Sequence, residues 1–237
     1  MVFSSLLFLY AFLPVCLLLY FLVPGLKGKN IVLLCASLVF YAWGEPVYVF
    51  LMLAVAALNW GFGLLLEKKR SKGLLALCVA LNLASLVVFK YAGFLVENCN
   101  ALFGAAFRVP QISLPIGISF YTFQALSYSV DVYRKDVGAQ RSYWKFLLYV
   151  SMFPQLIAGP IVKYRDVSNQ LHVYKHRYTL SQIEEGMTLF TFGLAKKVLL
   201  ADAIGALWTD IIGVADSPST TFVGLANAST PLVWLGI

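Results

Sequence analysis

Residues 114–136 read LPIGISFYTFQALSYSVDVYRKD, and residues 153–166 read FPQLIAGPIVKYRD. Between them lies VGAQRSYWKFLLYVSM, which opens with a basic link and becomes apolar. The whole stretch from Leu114 to Asp166 is apolar enough to sit in a membrane. It is also broken by Pro154 and by Gly159-Pro160, and edged with positive charge. An unbroken apolar run would read as a plain crossing helix; this one does not.

The rest of the chain fits a membrane setting. Soluble domains carry about 25% charged residues, whereas this chain of 237 residues carries 12% and is 60% hydrophobic. Its mean hydropathy is +0.80. The expected fold class is therefore an all-α polytopic membrane helix bundle, with the lipid bilayer as its first partner. The net charge of +7 is concentrated in short links between apolar spans, the pattern of cytoplasmic loops rather than of a nucleic-acid surface. Nucleic acid is not an expected partner. Cys16, Cys35, Cys78 and Cys99 have no CxxC spacing, and no metal site is expected from them.

Working outward, the span at 112–130 opens at Pro115, a residue favoured in a first helical turn. It ends at Asp131, with Arg134, Lys135, Arg141 and Lys145 following. Upstream, spans are expected at 2–24, with Pro14 as a kink, and at 30–43, 47–66 and 73–96. A small piece at 99–107 is too short to cross. The arm at 30–43 is short, about 21 Å at ~1.5 Å per residue. The N-terminus, with no basic start and no cleavage site, reads as an uncleaved first helix. Counting crossings from an outside N-terminus puts Lys27, the Glu67–Lys72 link and Arg134 inside, as the positive-inside rule asks.

The segment 146–162 breaks the count. A full crossing would place Lys163, Arg165, Lys175, His176 and Arg177 outside. A re-entrant hairpin, entering and leaving on the cytoplasmic side, avoids this. Non-helical backbone at membrane depth persists only where protein or a water-filled cavity shields it. Downstream, Ser181-Gln182-Ile183-Glu184 reads as a capping box that starts a helix near 182. Lys196 lies nine residues beyond Met187, about 14 Å along that helix, which puts Lys196 and Lys197 near mid-bilayer. The chain ends in an apolar run too short to span, which reads as a truncation.

Two roles stand open for each polar candidate. Gln155, beside Pro154, either lines a cavity or makes a structural hydrogen bond. Lys196 and Lys197 either face a cavity or snorkel to the surface. Asp131 and Arg134 have the spacing of an i, i+3 pair. The two histidines, His172 and His176 in LHVYKHRY, have i, i+4 spacing, but no third ligand is near and Lys175 and Arg177 repel a cation. They read as loop histidines. No Walker, G-x-G-x-x-G or G-x-S-x-G motif is present.

The two stretches quoted first, with SLVFYAWGEP (37–46) and FGLAKKVLLAD (192–202), resemble the membrane-bound O-acyltransferase family, and within it the bacterial branch that acetylates alginate. The match runs over essentially the whole chain, read as the N-terminal part of one domain, 1–237. The resemblance implies a bundle of membrane helices around a funnel, in the cytoplasmic (inner) membrane. It implies acyl transfer, by acetyl in this branch, from a cytoplasmic thioester donor such as acyl-CoA or an acyl-carrier protein. The acceptor it implies is a hydroxyl on an exported polysaccharide. No bound cofactor is expected. The essential histidine is expected beyond Ile237, so no catalytic residue is assigned in this chain and the piece alone is expected to be inactive. Gln155, Gly159, Pro160, Lys196 and Lys197 are the funnel candidates. The basic edges at 134–145 and 163–177 suit an anionic donor. The alternatives are D-alanyl transfer to teichoic acid, a transporter, or a scaffold that docks a carrier or a periplasmic acetyltransferase.

Overall fold

A computed structural model describes residues 5–104, 108, 110, 114–156, 162–172 and 179–215. Among these residues the chain is all helical, with turns and no strand. Gly159, Pro160 and His176 lie outside them. The chain forms two units, described separately; the first holds Leu7–Lys175.

Its first helix opens with a π-turn over Phe8–Phe12 and continues as α1, Leu13–Leu22. Pro14 cannot donate, and its ring crowds the carbonyl four residues back. The widened turn, in which the Leu13 amide bonds the Phe8 carbonyl, absorbs that conflict. Helix α2, Leu26–Gly44, has 19 residues. The expected short arm is thus longer than the sequence suggested, because Lys27 and Lys29 join the helix. Lys29 is buried with its ammonium 4.8 Å from the Tyr20 ring, a contact that lets a lysine enter an apolar helix.

Helix α3 runs Tyr48–Lys68. The next helix is α4, Lys72–Leu86, a π-turn over Val87–Tyr91, and α5, Ala92–Phe103. The piece expected to stand apart at 99–107 is, through Phe103, the end of this helix. Leu26–Gly44, Tyr48–Lys68 and Lys72–Phe103 are long and apolar enough to cross a membrane, and Phe8–Leu22 is a shorter apolar helix.

Helix α6, Ile118–Arg134, begins at Gly117, whose φ of 77° few other residues adopt. A Cβ there would also stand 3.0 Å from the Leu156 carbonyl oxygen. The helix ends in a Schellman motif: Lys135 is left-handed, its amide bonds Val132, and the Asp136 amide bonds Asp131. Helix α6 packs on α3 and α4 at the centre of the unit. A Cβ on Gly63 of α3 would lie 2.7 Å from the Tyr128 hydroxyl, so glycine is what lets the two helices approach. Beside this contact, Asn59 and Asn82 exchange amide hydrogen bonds of 2.8 and 3.1 Å, and the Ser129 hydroxyl donates to Asn59 at 3.1 Å. All three are buried, so each polar atom needs such a partner.

Helices α7, Tyr143–Ser151, and α8, Phe153–Leu156, carry the chain on, and α9, Tyr164–His172, follows. At about 14 Å, α7 is too short to cross a hydrocarbon core of about 30 Å. It packs on α2 and α3. Phe153 joins Phe8, Phe12 and Phe40 in one aromatic cluster.

The second unit's described helix contains α10, Leu180–Ala195, a π-turn over Lys196–Ala201, and α11, Asp202–Ala215. The capping box is real but begins two residues earlier than expected. Thr179 caps and Gln182 reaches back. Both T-x-x-Q and S-x-x-E satisfy the pattern, and the upstream one gives the longer helix.

Candidate functional site: a fold-back hairpin and the basic cleft at its base

Two described segments, 143–156 and 162–164, meet near Gln140 and Tyr164 at one end of the bundle. At the outgoing end, Gln140 is tied by four bonds. Its amide donates to the Tyr128 hydroxyl at 2.8 Å, and its carbonyl accepts from the Trp60 indole at 2.9 Å. Its side chain accepts from the Ser142 amide at 3.0 Å and donates to the Tyr164 hydroxyl at 2.7 Å. The last bond joins the start of the hairpin to its end. Leu156, the last described residue before Val162, sits against Gly117 at the start of α6. Gln140 meets α6 at Tyr128, eleven residues on from Gly117, about 16 Å along the helix. Six residues lead from Leu156 to Val162, enough for at most about 20 Å of extended chain. Val162 rejoins α7 where its carbonyl accepts from the Tyr149 hydroxyl at 2.8 Å.

The hairpin contains a broken helix end, and this explains its amides. The Phe153 amide bonds the Ser37 hydroxyl rather than continuing α7, and Pro154 has no amide hydrogen. The Tyr149 carbonyl, left without its helical donor, accepts from two side-chain amides: Gln124 at 2.9 Å and Gln155 at 2.6 Å. Gln155 therefore has a hydrogen-bonded place inside the hairpin. The Thr122 and Ser151 hydroxyls are buried with no partner among the described residues.

At the base of the hairpin lies an open cleft of about 650 Å³ lined by Asp136, Arg141, Lys145, Tyr164, Arg165 and Ser168. It joins the two basic edges that the sequence shows apart. Glu67 anchors the loop within the first edge: one oxygen accepts from the Ala139 amide at 3.0 Å, and the other pairs with Arg141 at 2.6 Å. Arg70 stacks 5.2 Å from the Tyr133 ring. The blocks at 67–72, 134–145 and 163–165 are thus neighbours. Burial holds the Tyr164 phenol above its usual range, so it meets Gln140 as a neutral hydroxyl.

Asp131 and Arg134 do not form the ion pair their spacing suggests; the Asp131 Oδ2 is buried with no partner among the described residues. In the second unit, Lys197 pairs with Asp202 at 2.9 Å, and Lys196 is exposed. An i, i+5 pair suits the wider π-turn. Gln124, Gln140 and Tyr164 were not singled out by sequence. The signal available was an amide or phenol within or next to an apolar run.

No family model matches the chain, and no solved structure matches it. Among curated proteins, the chain is 42% identical over 230 residues to "Probable alginate O-acetylase AlgI" of Azotobacter vinelandii, with 93% of this chain and 45% of that protein aligned. It is 40% identical over 246 residues to the protein of that name in Pseudomonas aeruginosa, covering 100% and 44%. It is 30% identical over 236 residues to "Peptidoglycan O-acetyltransferase" of Helicobacter pylori, covering 85% and 45%. By this likeness the chain belongs to the membrane-bound O-acyltransferase family. It spans about half the length of the curated relatives it matches.

Proposed function

We propose that this chain forms the donor-side housing of a membrane O-acyltransferase, inserted in several passes in the cytoplasmic membrane. The whole protein carries an acetyl group from a cytoplasmic thioester donor to a hydroxyl of an exported polysaccharide. The naming of the relatives supports alginate as the acceptor. The observation that carries the reading is the cleft at the hairpin base, where Arg141, Lys145 and Arg165 converge.

An anionic donor such as coenzyme A or a carrier protein is drawn to the basic side chains of the cleft, where Glu67 and Asp166 pair with Arg141 and Arg165 and offset part of their charge, and the attraction weakens with salt. The packed hairpin beyond the cleft excludes bulk water from the thioester, where hydrolysis competes with transfer. The acceptor hydroxyl loses its proton to a general base, which we assign to a histidine that neither His172 nor His176 supplies. Gln155, Gly159, Pro160, Lys196 and Lys197 remain our candidates for the funnel wall.

The test is transfer of labelled acetyl from acetyl-CoA or an acetylated carrier to polymer, by the full-length protein in membranes. Lys145→Glu with Arg165→Glu is expected to raise the donor KM at least tenfold and to abolish the salt dependence. Unchanged donor use at equal expression would refute a donor site in the cleft.

A further inference from the structure

A second concavity lies away from the cleft, between the first two helices. It has a volume of about 520 Å³ and is almost wholly apolar. Phe12, Val15 and Leu19 form one wall and Ile31, Cys35 and Val39 the other, with the small Ala11 and Ala36 also lining it. Trp43 closes one end. Its walls are exposed aliphatic side chains on helices read as membrane spans. From Ile31 to Trp43 the groove follows about 18 Å of helix, somewhat more than the ~15 Å half-thickness of a hydrocarbon core.

The other end of the groove is charged. Lys27 is exposed and stands one turn before Ile31 on the same ridge of α2, so it caps the groove wall. Lys29, two residues on, is instead drawn over the Tyr20 ring and buried. An apolar slot of one-leaflet length with a cation at its mouth is complementary to an acyl chain ending in an anionic headgroup. A protein helix would need a neutral or acidic end there and a knob for the small-residue floor. We propose that this groove binds one acyl chain of an anionic glycerophospholipid, with the phosphate on Lys27.

The test uses the full-length protein in nanodiscs that contain a trace of phosphatidylglycerol or phosphatidylcholine with a diazirine on the acyl chain. Crosslinked peptides are read by mass spectrometry. Crosslinks at residues 11–19 and 31–43 are expected to be about fivefold stronger for phosphatidylglycerol, the preference expected of one lysine beside an anionic headgroup. Lys27→Gln should remove the preference, and Ala36→Phe should remove the crosslinks while crosslinks elsewhere persist. Equal yields for both lipids would overturn the proposal, as this is bulk lipid contact. Absence of crosslinks in the wild type would overturn it too, with a crosslinked dimer showing a second copy as the occupant.

Discussion

The Gln140 side-chain amide donates to the Tyr164 hydroxyl across 2.7 Å, and this bond holds the two ends of a fold-back hairpin together. Gln140 is buried, and its other polar groups are occupied as well. It therefore sets the spacing of the basic residues on either side, Arg141 and Arg165.

Gln140→Leu leaves the Ser142 amide and the Tyr164 hydroxyl without this partner. A buried polar group left unsatisfied costs about 1–3 kcal/mol. The full-length protein should unfold at lower temperature in detergent, and its donor KM should rise because the cleft loses its shape. Gln140→Glu keeps the acceptor for Ser142, but it buries a carboxylate in the lining of the cleft, so it too should raise the donor KM.

Gly63→Ala tests the approach of α3 to α6. The new methyl group meets the Tyr128 ring, which is held by Phe146 at 4.5 Å and by Tyr164 at 5.0 Å. Overpacking of this kind costs about 1–3 kcal/mol. A lowered unfolding temperature is expected, and Tyr128→Phe, which keeps the ring, should not restore it.

The Asn59–Asn82 pair predicts a non-additive cycle. Asn59→Leu strips the buried Asn82 carbonyl oxygen of its donor and should cost about 1–3 kcal/mol, whereas Asn82→Leu leaves Asn59 bonded to Val55 and Ser129 and should cost less. The double change strands neither, so its cost should fall well below the sum. Additive losses in thermal unfolding would mean that the two amides do not depend on one another.

Gln155→Leu separates the two roles open to this residue. Gln124 still caps the Tyr149 carbonyl, so the loss of stability should be about 0.5–1.5 kcal/mol, the net worth of one ordinary hydrogen bond. If Gln155 also lines the funnel, acetyl transfer should fall by much more than that loss accounts for. Wild-type transfer would leave Gln155 as a helix-end cap alone.

How much of this was legible depended on the physics behind each element. The apolar spans and their charged links are written in composition, and α3 lies close to where the sequence puts it, whereas α6 starts at Ile118, past Pro115, and runs beyond Asp131 to Arg134. The re-entrant reading of 146–162 rests on charge alone, since a crossing would move a basic block to the other face. Element ends were harder. Lys27 and Lys29 looked like a loop, because a cation on a ring 4.8 Å away is not visible as spacing. The end of α5, from Cys99 on, looked like a separate piece, because Glu97 and Asn98 interrupt an apolar run without interrupting the helix. The site was least legible. Nothing in the spacing links Gln140 to Tyr164, or Glu67 to Arg141, since each pair meets only through the packing of α6 on α3 and of the hairpin on both.

The central claim is that the chain enters and leaves its hairpin at one membrane face. Single cysteines at Arg141→Cys and Lys163→Cys, placed in turn in a cysteine-free full-length protein, test it in sealed membrane vesicles of known orientation. The account predicts that an impermeant maleimide reaches both only from the cytoplasmic face. Labelling of the two positions from opposite faces would contradict it.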